Sequence, residues 1–457
     1  MKTSHLPGAV TLALLIACLA TSSVAQERPF GTLREQAIIR QAWLFERMET
    51  VLPRLMREHG IQMWVAPMRE YNEDPVFRGI AGPTTFAARR RSVYLFFDGG
   101  PSEGIERLAI GGTSQGGVFD APRMTEQAPD GRPREFWGPD QWRVVADIIR
   151  ERDPRNIAVN ISHALNFADG LTAGEWEQMQ AALGPDYVRR VVRAEHLALD
   201  FLAIHTPSMD STYREMEMVV HEIIATAFSE RVITPGVTTT ADVVWWMRQR
   251  VNDLGLGSWF QPSVSVQRSG ASMADSTAPI IERGDVLHCD FGIVALGLNT
   301  DTQHMGYVLR EGERAPPDGL VAALHNANAL QDLLLAEMRP GRTGNEILHS
   351  TLDAMRATGI DGTVYTHPIG FHGHGAGPLI GMWDRQDGVP GRGDVPIRAG
   401  TWHSIELQAT TPVGEWEGQP VRMMLEEEAA LDHDGQMRWV LTRQEQFHLV
   451  RSGTLQP

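Results

Sequence analysis

Lysine is almost missing from this chain. Of 457 residues only Lys2 is one, and it falls in an N-terminal segment with the marks of a removable leader. A mature chain without lysine excludes Schiff-base and lysine-nucleophile mechanisms, and a phosphate-binding loop of the usual kind. Cysteine is nearly as scarce: Cys18 and Cys289 are the only two. Cys18 lies in the same leader, so no intrachain disulfide can form once the leader is cut. Cys289 sits in an apolar run and reads as a small buried hydrophobe rather than a nucleophile. Basic patches are absent and the formal net charge is −16, which excludes a nucleic-acid partner. Beyond the leader no segment is apolar enough for a transmembrane span.

The leader itself is informative. It has one lysine, an apolar run over 9–20 and the small-residue site Ser23-Val24-Ala25. This is the pattern of a signal peptide over residues 1–25, cut after Ala25, and it sends the protein out of the cytoplasm, to the periplasm or as a secreted protein. Leu15-Ile16-Ala17-Cys18 also reads as a bacterial lipobox, and the alternative is a chain anchored by a lipid on Cys18. The remaining length allows two or three domains, and 42% hydrophobic residues can build a sizeable core.

Apolar spacing predicts a helix over 34–60, with Ala42, Leu44, Met48, Val51, Leu52 and Leu55 on one face. Strands are predicted at 62–67, 92–98 and 107–111, then a helix at 140–152 and a strand at 156–160. These make an α/β unit over 26–204 with no catalytic cluster. Its run Arg89-Arg90-Arg91 reads as a solvated face or a subunit contact. A long amphipathic helix follows Ser208, and residues 205–457 form the second domain. That domain carries a weak internal repeat: Thr234-Pro235-Gly236-Val237-Thr238 and Arg339-Pro340-Gly341-Arg342-Thr343 each stand between two predicted helices. Stop, turn and cap recur in both. Two such halves predict an α+β domain of pseudo-twofold symmetry, with helices outside a curved antiparallel sheet and a site between the halves.

The chemistry gathers in the second domain. Asp290 and Asp301 are eleven residues apart, a spacing that puts both carboxylates at one end of a hairpin. Gly373-His374-Gly375-Ala376-Gly377 is a turn dense in glycine, with His367 and His372 just ahead of it. Glu406 stands among apolar neighbours in a predicted strand. Glu426 opens a run of three glutamates, one expected to point inward and two to face solvent. Four carboxylates and an imidazole are too many hard ligands for one catalytic zinc and suit two divalent ions that activate a water.

The order Asp290, Asp301, His374, Glu406, Glu426, the eleven-residue spacing, the glycine-rich histidine turn and the paired Pro-Gly turns resemble the M24 metallopeptidases of pita-bread fold. The unit at 26–204 looks like the creatinase-type N-terminal domain of the Xaa-Pro aminopeptidase and prolidase branch. The resemblance implies that Asp290 chelates one ion, Asp301 and Glu426 bridge two, and His374 and Glu406 hold the second. Glu427 and Glu428 remain alternatives to Glu426. It further implies Mn²⁺, with Co²⁺, Fe²⁺ or Zn²⁺ as alternatives, a proton-shuttling role for Glu406, and a homodimer. Two departures stand out. The family's histidine seven residues past the metal histidine falls here on Gly381, and its Asp-x-Thr-Arg pattern reads Asp301-Thr302-Gln303-His304. His367, His372 or His304 could supply the missing catalytic imidazoles, and His367 and His372 are the preferred candidates.

The function implied is a secreted metallo-aminopeptidase that cleaves between an N-terminal residue and proline in a peptide substrate with proline at the second position. The altered histidines leave two alternatives open: creatinase-like or lyase chemistry on a small non-peptide substrate, or a pita-bread module that binds without catalysis.

Overall fold

The computed structural model describes residues 28–271 and 278–451. The leader, with Cys18 and the expected cleavage site, lies outside the described residues.

The first helix, Leu33–Glu58, starts at a reciprocal cap. The Thr32 hydroxyl accepts from the Glu35 N–H, and the Glu35 carboxylate accepts from the Thr32 N–H at 2.7 Å. That exchange satisfies donors a helix start otherwise leaves bare. The buried face is Trp43, Leu44, Met48, Val51, Leu52 and Leu55. Ala42, expected there, is exposed, and Trp43 takes the core position beside it. A five-stranded sheet follows in the order Ile105–Ile110, Arg91–Asp98, Met63–Arg69, Ile157–Val159, Val191–Arg193. Its first three strands are antiparallel and the last two join in parallel. Strand alternation divides its residues between two cores: Trp64, Ala66 and Phe96 pack with the first helix, while Met63, Val65 and Leu95 pack with the helix Pro139–Arg152.

The arginine run splits. Arg89 and Arg90 pair with Glu135 at the surface. Arg91 begins a strand and is turned inward, where it meets Glu175 at 3.2 Å and Gln141 at 2.8 Å. The expected solvated face therefore holds for the first two residues only.

The chain passes into its second part at His205, whose N–H donates to the Gly400 carbonyl at 2.8 Å. The helix Pro207–Ala227 follows at once. The internal repeat is visible in matched hydrogen bonds. Gly236 and Gly341 both have positive φ. The Gly236 N–H donates to Ile281 O at 2.8 Å, and the Gly341 N–H donates to Ile397 O at 2.9 Å. Thr239 and Thr343 then cap the helices Thr240–Asp253 and Gly344–Thr358, each with an acid three residues on. Both caps also bridge a remote strand segment, at Ile280 and Pro396. The cap of the first copy is Thr239, one residue past the expected Thr238.

Three larger sheets pack against these helices. One runs His448–Val450, Thr302–Val308, Val286–Phe291, Ser263–Gln267. A second runs Asp361–Val364, Leu407–Val413, Gln419–Leu425, and the third His367–Ile369, Thr401–Ser404, Glu428–Leu431, Met437–Trp439. Gln303 and Glu426 join them, each donating its N–H to the other's carbonyl at 3.0 and 3.1 Å. The candidate ligands lie around that junction.

Candidate metal centre

Strand pairing explains which side chains meet. Asp290 lies opposite Gln303 on one neighbour and Ser263 on the other, while His288 lies opposite Met305 and Ser265. Side chains two apart share a face, so Ser265, His288, Asp290 and Gln303 line one side of the sheet. Cys289 and His304 line the other.

Asp290, Asp301 and Glu426 offer oxygens that all lie within 4.8 Å of one another, and so do ligand atoms of His367, Glu406 and Glu426. The His367 Nε2 atom is 3.2 Å from Glu426 Oε1, 3.6 Å from Asp301 Oδ2 and 3.9 Å from Glu406 Oε2. The Nδ1 atom is 2.9 Å from the Pro368 carbonyl. A carbonyl can only accept, so Nδ1 carries a hydrogen, and Nε2 is the ring atom turned toward the carboxylates. Four buried atoms here have no hydrogen-bond partner: Asp290 Oδ1, Asp301 Oδ1, Glu426 Oε1 and His367 Nε2. Such orphans are costly to bury. A divalent cation among them satisfies all four, and an oxygen-rich set with one imidazole fits hard or borderline ions. The residues present therefore fit the metal that the resemblance implies.

Electrostatics agree with that fit. Burial, with the Glu426 charge added, pushes the Asp290 carboxyl up to about 7. Burial and the same neighbour push Asp301 and Glu406 well above the usual carboxylate range. Without a cation these groups cannot all ionise together.

The glutamate run departs from expectation. Glu426, Glu427 and Glu428 are all buried. The chain leaves one sheet after Leu425 and enters another at Glu428, so simple alternation does not apply across the run. Each carboxylate finds its own surroundings. Glu426 joins the candidate centre. Glu428 accepts from the Asp301 N–H. Glu427 accepts from His304 Nε2 at 2.7 Å, His221 Nε2 at 3.0 Å and the Gln444 N–H at 2.8 Å. His221, His304 and Glu427 are also close enough to hold an ion, but both Glu427 oxygens already have donors. It is a satisfied network on the opposite face of the sheet, whereas the set around His367 is not satisfied.

The three histidines near the turn separate clearly. His367 sits on a short strand paired with Ser404 and is central. His374 is the outer one: its ring stands edge-on to His367 at 4.7 Å and to Trp259 at 5.2 Å, and it groups with Asp301 and His367. His372 packs against Phe167 at 4.9 Å and belongs to no carboxylate group among the described residues. Burial, with Arg78 nearby, holds its pKa down to about 3. The fold thus sets His372 against Phe167, while His367 and His374 are the imidazoles that group with the carboxylates. Gln303 and His288 went unnoticed as site residues. The signal that could have found Gln303 is its position two residues past Asp301, on the same face.

Comparison with known proteins bears on this geometry. Residues 212–433 match Metallopeptidase family M24. They form a family M24 domain. The fold is also similar to that of X-Pro aminopeptidase from Thermotoga maritima MSB8, with a TM-score of 0.58 and 17% identity over 87% of this chain and 100% of that one. Dipeptidase PepE from Mycobacterium ulcerans gives a TM-score of 0.56 at 14% identity, covering 90% of this chain and 98% of that one. Xaa-Pro dipeptidase from Bacillus anthracis gives 0.54 at 18%, covering 90% and 100%. No curated protein matches the chain. Identities this low carry the pita-bread fold and not a substrate. With the M24 match, the protein is a metal-dependent hydrolase.

Proposed function

We propose that the protein is an exported aminopeptidase with two divalent ions, Mn²⁺ by preference, that hydrolyses the bond between an N-terminal residue and proline. The observation that carries the reading is the buried His367 Nε2 atom facing Asp301, Glu406 and Glu426 at 3.6, 3.9 and 3.2 Å. Asp290, Asp301 and Glu426 would hold one ion, and His367, Glu406 and Glu426 the other, with Glu426 and Asp301 shared. His367 thus takes the ligand role first expected of His374. The change also removes a departure. Counting seven residues on from His367 gives His374, so the outer imidazole that Gly381 could not supply has a candidate after all.

When bound, the ions supply the acidity that makes a water nucleophilic at neutral pH and polarises the scissile carbonyl. Glu406 lies beside His367 and is partly accessible. It takes the proton of the attacking water and returns it to the proline nitrogen as the C–N bond breaks. His374, at the exposed edge, donates to the carbonyl oxygen of the residue being released. Non-peptide chemistry loses its main motive once His374 occupies that place.

The test is elemental analysis of the purified protein together with release of the first residue from Xaa-Pro peptides. Activity that is lost on chelation and returns with Mn²⁺ is expected. A metal-replete protein inert on every Xaa-Pro peptide overturns the assignment.

A further inference from the structure

The side chain of Gln303 reaches two of the candidate ligands at once. Its Nε2 donates to Glu426 Oε2 at 2.7 Å and to Glu406 Oε1, while its Oε1 lies 2.8 Å from His288 Nε2. His288 Nδ1 is 3.3 Å from the Ser265 hydroxyl. Gln303 and His288 are both buried, so the amide has no water to turn to.

The chemistry of these groups gives the chain one direction. Ionised carboxylates only accept, so the NH₂ end of Gln303 faces the glutamates. Its carbonyl end then needs a donor, and His288 provides one only as the Nε2–H tautomer. That leaves Nδ1 to accept from Ser265. A single tautomer thus serves both neighbours. The strand pairing that sets Ser265 opposite His288 and Asp290 opposite Gln303 builds the relay into the sheet.

We infer that Gln303, oriented by His288, is a positioning residue that decides which oxygen of Glu406 and of Glu426 is turned toward the metal centre. Both amide hydrogens are spent, one on Glu406 Oε1 and one on Glu426 Oε2. The other oxygens, Glu406 Oε2 and Glu426 Oε1, are the ones facing His367. A threonine at this position, as in the Asp-x-Thr-Arg pattern, has one donor and cannot hold both glutamates. The departure at Gln303 is thus matched by a partner, His288, that fixes its orientation. The inference rests on the metal-centre reading above and concerns how firmly that centre holds its ions.

The experiment is Co²⁺ titration of the chelated protein without residues 1–25, followed by visible absorption and by equilibrium dialysis, for the wild type, Gln303→Met, Gln303→Thr, His288→Leu and His288→Gln. Groups that orient metal ligands are worth about 10–100-fold in metal affinity. Gln303→Met should lose that much and shift the Co²⁺ absorption bands. His288→Leu should shift the bands in the same way, and His288→Gln, which keeps a donor, should move them back. Gln303→Thr reads the same quantity if Gln303→Met does not fold. Wild-type affinity and bands in the Gln303 variants overturn the inference while leaving the metal centre standing. A wild type that binds no Co²⁺ overturns the metal-centre reading itself.

Discussion

His367 Nε2 stands 3.2 Å from Glu426 Oε1, yet both atoms lack a hydrogen-bond partner. A bare imidazole nitrogen and a carboxylate oxygen facing each other repel unless a positive charge lies between or beside them, and a divalent ion supplies it for all the oxygens of the set at once. That relationship separates the roles of the two histidines. His367→Ala should strip metal from the protein, with the ion content measured after dialysis falling by at least one ion per chain. His374→Ala should keep its metal and lose about 10²–10⁴-fold in kcat, the usual range for one acid–base group. Equal metal loss in both variants would contradict the division.

The raised carboxyls set a pH dependence. Asp290 is held up to about 7, and Asp301 is raised well above the ordinary carboxylate range, both chiefly by burial. A buried acid with a raised pKa binds its proton more tightly when folded. Its favourable contribution is therefore complete below the unfolded value near 4 and is lost as the pH rises through the folded value. The chelated protein should lose thermal stability between about pH 4 and 7, by roughly 1.4 kcal/mol per pH unit for each such acid. Metal requires the ionised acids, so the loaded protein should gain on the chelated one over the same range. Melting curves of both forms from pH 5 to 8 check this, and a constant gap between them would count against it.

Much of this centre was legible in the chain. Asp290 and Asp301 announce themselves because eleven residues are enough for a hairpin, and Glu406 because a lone acid among apolar neighbours needs a partner, although it lies between the strands Thr401–Ser404 and Leu407–Val413 and not within one as expected. The histidines were not separable in the same way. His367, His372 and His374 share one glycine-rich stretch. What distinguishes them is the short pairing of His367–Ile369 with Thr401–Ser404, a contact between distant segments. The glutamate run misled for a related reason. Alternation predicts faces within a strand, but the chain changes sheets between Leu425 and Glu428. Gln303 stayed hidden because its importance depends on His288, whose side chain reaches it across the strand pair.

Cys289 offers a simple check on the fold. It is fully buried, and burial together with nearby carboxylates pushes its thiol well above the ordinary range. The thiolate is the reactive form, so the native protein produced without residues 1–25 should resist iodoacetamide at pH 8. One thiol per chain should become reactive in denaturant. Rapid labelling without denaturant would mean that the strand Val286–Phe291, and Asp290 with it, is not packed as described.

The Glu427 network yields a prediction in which the sign of the pH effect differs. Burial raises the Glu427 carboxyl, but His304 and His221 outweigh it and hold the group at about 2. Its contribution is present above the unfolded value near 4 and is lost only as the pH falls through about 2. For His221 burial pulls downward, and Glu427 outweighs it, so the imidazole is raised. Its contribution is complete below its unfolded value near 6.5 and fades as the pH rises through its folded one. Both contributions are fully present between about pH 4 and 6.5. Glu427→Ala removes one partner from a buried charged set and should cost about 3–5 kcal/mol. Glu427→Gln keeps an acceptor for His304 and a donor for His221, and should cost less. It also removes the charge that raises His221, so its deficit against the wild type should be largest near pH 6 and smaller at pH 8. Urea midpoints of the chelated proteins at pH 5, 6, 7 and 8 measure this. A deficit that grows toward pH 8 would mean that His221 does not draw its proton affinity from Glu427.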